Sequence, residues 1–170
     1  MIGRRLQSAV TGGTLLVLVV TALAGCVHYR TPSEQALWEA TRDARAKAER
    51  ARQELEGALR SGEAEDPPAA LELGRTEFQE TVGSDGRSSL LGSAARLDGS
   101  VQFDLAIVGG AETGGGFTAA AAGVLLCARV TATLDRDAQA TIADLPCPSS
   151  LNSPGGPLYG LIDQVVTLKG

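Results

Sequence analysis

A single histidine, one tryptophan, two tyrosines and three phenylalanines are the only ring-bearing side chains, prolines aside, in this 170-residue chain. His28 stands alone, so neither a Ser-His-Asp nor a Cys-His catalytic arrangement is available, and the usual zinc ligand sets are missing with it. The scarcity of aromatics means that a core has to be assembled from Leu, Val, Ile and Ala, which suits one domain of modest size. An excess of basic charge is lacking too. The formal net charge is −5 and the acids are spread along the chain, so there is no basic footprint for phosphate backbones and nucleic acid is excluded as a partner. Cysteines number three, an odd count that sets one apart if the other two bond.

At the amino end, Arg4 and Arg5 precede residues 6–25, an uncharged run rich in Leu, Val, Ala and Gly. A positive start followed by an apolar segment is the layout of an export signal. The run is also just long enough to cross about 30 Å of hydrocarbon as a helix, so a retained span competes with that reading. The discriminating stretch is Leu23-Ala24-Gly25-Cys26, which ends the run. It resembles the bacterial lipobox, with Leu three positions before the cysteine and small residues between, where a protease must close around the backbone.

The resemblance implies a thioether between diacylglycerol and the Cys26 sulfur, cleavage between Gly25 and Cys26, and often acylation of the new amino group by a fatty acid such as palmitate. It covers residues 1–26 and assigns the body to no family. Two or three acyl chains, each contributing about 0.8 kcal/mol per buried CH₂, hold such a product firmly on a membrane. Membrane lipid at Cys26 is therefore the expected partner, and the extracytoplasmic face of the cell membrane the expected location. Loss of Arg4 and Arg5 makes the remaining body more acidic still, which leaves the anchor rather than a cationic surface to retain it. His28 is then an exposed residue of a short tether, residues 26–31.

Thr31-Pro32-Ser33-Glu34 reads as a helix start, with Thr31 as cap, Pro32 in the first turn and Glu34 closing a capping box. A helix is predicted over 32–61, with Gly62 available to end it. Opposite charges recur four apart at Asp43/Lys47, Arg45/Glu49, Arg50/Glu54, Arg52/Glu56 and Glu56/Arg60. The apolar stripe comprises Leu37, Ala44, Ala48, Ala51, Leu55 and Leu59. It has two uses: packing on the chain's own domain, or self-association and partner binding through Leu37, Leu55 and Leu59 as a weak coiled coil. A helix of about 40 Å also allows a spacer. Residues 62–74, with Pro67-Pro68, read as a linker in which 69–73 resume a helix at most briefly.

Residues 75–170 are expected to form a small antiparallel β-rich domain. A strand is predicted over 75–82, then a turn at 84–87. Val101, Phe103, Leu105 and Ile107 share one face of a further strand, and Val124, Leu126, Ala128, Val130, Ala132 and Leu134 share one face of another. A turn at Asp135-Arg136-Asp137 makes 123–145 a hairpin, and 161–168 is a last strand candidate. Residues 118–126 fit a short helix nearly as well as a strand. No helical pattern recurs between the strands, so the fold class is α+β: a long N-terminal helix followed by a mainly antiparallel β-sheet, the helix covering one face. With Cys26 occupied by lipid and the body exported, Cys127 and Cys147 are expected to form a disulfide that ties the loop after the hairpin to the strand before it.

Two further features bear on chemistry. The glycine-rich stretch 109–116 follows a strand, but its spacing matches neither GxGxxG nor a P-loop, and it reads as a flexible connection. Asp98, Asp104, Glu112, Asp135, Asp137 and Asp144 fall at no EF-hand spacing. The expected function is that of a non-catalytic lipoprotein with a binding or envelope-assembly role and no cofactor. The alternatives are a scaffold acting through helix 32–61 and, behind it, a carboxylate-dependent hydrolase.

Overall fold

A computed structural model of the chain describes residues 30–61, 64, 66–134 and 139–169. Gly25, Cys26 and His28 lie outside them, as do Gly62 and the expected turn at 135–137.

Helix α1, Pro32–Arg60, starts as its sequence dictates. The Thr31 hydroxyl accepts from the Glu34 amide at 3.3 Å, and the Glu34 carboxylate accepts from the Thr31 amide at 2.7 Å. Ala36, Ala40, Ala44, Ala48, Ala51, Leu55 and Leu59 are its buried residues, spaced by fours and one three, so they form a single stripe. Leu55 and Leu59 are 4% and 6% exposed and Leu37 packs half-buried at the edge of the same core. The stripe therefore faces the chain's own sheet, and α1 is a layer of the body rather than a stalk.

Helix α2, Pro67–Thr81, corrects two expectations at once: most of the 62–74 linker is helical, and so is the predicted 75–82 strand up to Thr81, with Val82 as the cap. Asp66 caps it, its carboxylate accepting from the Ala69 amide at 2.8 Å, and the two prolines fill first-turn positions whose N–H groups have no helical partner anyway. Thr76 and Thr81 are accommodated in it because each hydroxyl donates to the carbonyl four residues back, Glu72 and Glu77. Ala70, Gly74 and Phe78 make the buried face, and the ring of Phe103 fills the space where a side chain at 74 would stand.

Five strands follow: β1 Ser89–Ala95, β2 Val101–Thr113, β3 Ala120–Ala132, β4 Ala140–Asp144 and β5 Gln164–Val166. The order is β1-β2-β3-β4, all antiparallel, and β5 lies parallel to the first part of β3, on the side where β4 pairs with its last part. Residues 120–126 are thus strand, and the glycine-rich stretch is not simply a connection, since Gly109 and Gly110 belong to β2 and only 114–119 form the turn. β1, Ser-Leu-Leu-Gly-Ser-Ala-Ala, lacks apolar alternation and went unpredicted.

One sheet face, carrying Val101, Phe103, Leu105, Ile107, Val124, Leu126, Ala128 and Val130, packs under the helices. The other carries Ala106, Val108, Leu125 and Cys127 under the segment after β4, which supplies Leu145, Leu151, Leu158 and Ile162. Cys127 and Cys147 are joined by a disulfide with Cα atoms 5.2 Å apart, pinning that segment to β3 as expected. Farther along, this second face turns polar: Asp104 and Arg129, directly opposite on β2 and β3, form a two-pronged pair at 2.7 and 2.9 Å.

Candidate functional site: a charged cleft at the open edge of β2

β1 accompanies β2 only as far as the Ser89–Ala106 pair, while β2 runs on to Thr113. Beyond that point no strand among the described residues lies on this side of β2. Its outward main-chain groups are met by side chains instead. Val108 N–H donates to the Ser88 hydroxyl at 3.2 Å, Lys47 Nζ donates to the Val108 carbonyl at 2.9 Å, and Gly110 N–H donates to Asp43 at 3.2 Å. Charged caps of this kind keep a strand edge from pairing indiscriminately.

Asp43 and Lys47 are one helical turn apart on α1, so the exposed i,i+4 pair of the sequence reading also does tertiary work. Lys47 Nζ lies 3.1 Å from Asp43 and 3.0 Å from Asp85. Asp85 in turn accepts from the amides of Arg87 and Ser88 at 2.9 and 3.0 Å, around a Gly86 held at φ 68°. Burial alone would lower the Lys47 ammonium, but its bonds to Asp85 and Asp43 outweigh that and raise it above its ordinary value. Burial works the opposite way on Asp85, where the two amides and Lys47 win and hold the carboxyl below the usual range.

These groups border an open cleft of about 770 Å³. Its walls come from α1, the 85–87 turn, residues 108–112 of β2, 121–123 of β3 and 160–163. On the far wall Asp163 grips Gly123 by both main-chain groups, accepting from its amide and donating to its carbonyl, each at 2.8 Å. The Leu161 carbonyl sits where a Cβ on Gly123 would be, so that wall closes only over glycine. Opposite Gly123 in register is Gly110, and around it the reverse holds: a Cβ there would meet nothing within 4 Å. The cleft floor is open at this point. Asp43, Asp85, Glu112 and Asp163 line it against Lys47 and Arg87, and Lys47 is already held by two of the acids. A site so built offers main-chain hydrogen bonds and an excess of negative charge.

Of the described carboxylates singled out in the sequence, only Glu112 reaches this cleft. Asp104 is engaged by Arg129, Asp98 accepts from the amide and hydroxyl of Ser100, and Asp144 accepts from the Leu168 amide. Asp135 and Asp137 lie outside the described residues. Among the described residues, no group of three or more His, Cys, Asp or Glu is placed to hold a metal ion. Sequence reasoning paired Asp43 with Lys47 but linked neither to Asp85 or Asp163. The only local signals were the i,i+4 pair and the 84–87 turn, and neither reports on the other.

Carboxylates held by hydrogen bonds elsewhere in the body set an acid limit on the fold. Hydrogen bonds from Arg129 lower Asp104, those from Arg52 lower Glu49, and the Ala140 amide lowers Glu56. A carboxyl held lower in the folded than in the unfolded chain contributes stability that is complete above its unfolded value and disappears as pH falls through the folded one. Urea midpoints are therefore expected to be flat from about pH 7 to 5 and to fall below about pH 4. Asp104→Asn should make that fall shallower. A midpoint that rises on acidification would contradict the assignment.

No protein-family model, no curated protein and no solved structure matches the chain.

Proposed function

We propose that the chain is a lipid-anchored, extracytoplasmic protein of a bacterial envelope that binds a partner without catalysis, the β2-edge cleft being its contact surface. The observation that carries this reading is the Cys127–Cys147 disulfide. Bonded cysteines in a small body belong to an oxidising compartment, and with these two paired only Cys26, at the end of the lipobox-like stretch, is left over. Because α1 is packed on the sheet, residues 26–31 alone serve as tether, about 20 Å at full extension. The scaffold alternative loses Leu55 and Leu59 as contact residues, since both are buried in the body. The cleft takes their place.

Intact-mass measurement of membrane-extracted chain tests the anchor. The parent is expected to lack residues 1–25 and to carry added lipid mass, whereas Cys26→Ala is expected to keep its leader and carry none. An unprocessed, unlipidated parent refutes the proposal.

A further inference from the structure

The cleft combines three properties that rarely have the same explanation. The first is an unfinished hydrogen-bonding edge. Since Val108 N–H and C=O and Gly110 N–H all point away from β3, strand alternation turns the Gly110 carbonyl and both main-chain groups of Glu112 to the same open side. Among the described residues the side-chain caps stop at Gly110, so edge protection alone accounts for only the first half of this stretch. The second is room: Gly110 leaves the floor bare, and Glu112 is exposed beside it. The third is charge, with Asp43, Asp85, Glu112 and Asp163 exceeding Lys47 and Arg87.

We propose that the edge of β2 from Gly110 to Thr113 is a strand-addition site for an extended, lysine- or arginine-bearing segment of a partner protein. The partner's backbone pairs with the Gly110 carbonyl and with the N–H and C=O of Glu112, and its basic side chains meet Glu112 and Asp43, whose carboxylate lies at this edge 3.2 Å from the Gly110 amide. Backbone pairing supplies affinity, and the lining charge selects the sign of the guest. A second copy of this chain is the wrong occupant, because it would bring its own Glu112 and Asp85 against the same acids. The exposed Leu161, at 49%, gives the guest's apolar side chains a neighbour on the far wall. This assignment deepens the proposed binding role and rests on it for the partner's location, but the chemistry of the cleft is independent of the anchor.

The test uses the full chain extracted in non-ionic detergent, with the capped hexapeptide Lys-Val-Lys-Val-Lys-Val as probe. Binding is expected with a dissociation constant on the order of 100 µM, together with slowed hydrogen exchange at residues 108–113. Glu-Val-Glu-Val-Glu-Val, and the lysine peptide N-methylated at alternate residues, should each bind at least about tenfold more weakly. In the protein, Glu112→Lys, which brings the lining to three acids against three bases, should abolish the preference between the two charged peptides. Gly110→Val should weaken lysine-peptide binding about tenfold while unfolding like the parent. Absence of lysine-peptide binding at about 1 mM, equal binding of the N-methylated peptide, or protection confined to another part of the chain overturns the assignment. Lipidated chain that ignores the peptide refutes the cleft and spares the anchor. Unlipidated chain that binds it does the reverse.

Discussion

Gly109→Val is expected to lower folding stability by about 3 kcal/mol or more. A Cβ at 109 would run into the Ala40 carbonyl oxygen and would stand 2.7 Å from the Ala44 amide nitrogen and 2.8 Å from its Cβ. Two of these are helix backbone atoms, which no rotamer change can clear. Relief requires lifting α1 from the sheet, and α1 is seated there by Ala36, Ala40, Ala44 and Ala48, all without solvent exposure. Lifting it opens gaps along the whole stripe, so strain at one point is converted into lost contact at many. Gly110→Val is the internal control. It makes the same change one residue later in the same strand, where a Cβ meets nothing, and should lie within about 0.5 kcal/mol of the parent. Urea unfolding of both variants decides the matter: a difference between them below about 1 kcal/mol would mean that the helix is not held against Gly109.

The close approach at Gly109 also shows where the sequence was readable and where it was not. The start of α1 was legible because Thr31, Pro32 and Glu34 act on groups within four residues of one another. The apolar alternation of β2 and β3 was legible because each strand carries its own two-residue period. Gly109 and Gly110 were not, since a glycine pair has no period and resembles a linker. What makes them strand is the register with Val124 and Gly123 and the alanine face of α1, information held in other parts of the chain. Pro67-Pro68 failed for a different reason. The same pair that forbids a helix to continue is well suited to begin one, and the deciding group is the carboxylate of Asp66. For the cleft, Asp43, Asp85 and Asp163 are brought to one rim by the helix–sheet packing and by the path of the segment after β4. No local pattern encodes that convergence.

Replacing both Cys127 and Cys147 by Ala is expected to cost about 3 kcal/mol, roughly 10 °C in melting temperature, and to do so unevenly across the fold. The closed loop spans a separation of 20 residues, which gives the chain-entropy part of that figure. The uneven part follows from what the bridge holds. Among the described residues, the second sheet face is covered by no α-helix and no strand, only by the 145–162 segment, with one 3-10 turn at Ser149–Leu151 and its scattered Leu145, Leu151, Leu158 and Ile162. Near its start it is fixed by the disulfide and by the Leu145 amide on the Cys127 carbonyl, and at its end by Asp163 on Gly123. Without the bridge one end is released while the other holds. Hydrogen exchange should therefore accelerate first across 145–162 and only later in β2 and β3, whose helix-covered face is untouched. Leu161 and Asp163 are also a wall of the cleft, so the same double variant should loosen the site together with the layer. Exchange that accelerates uniformly, or a stability loss below about 1 kcal/mol, would show that the apolar contacts of this segment hold it down unaided.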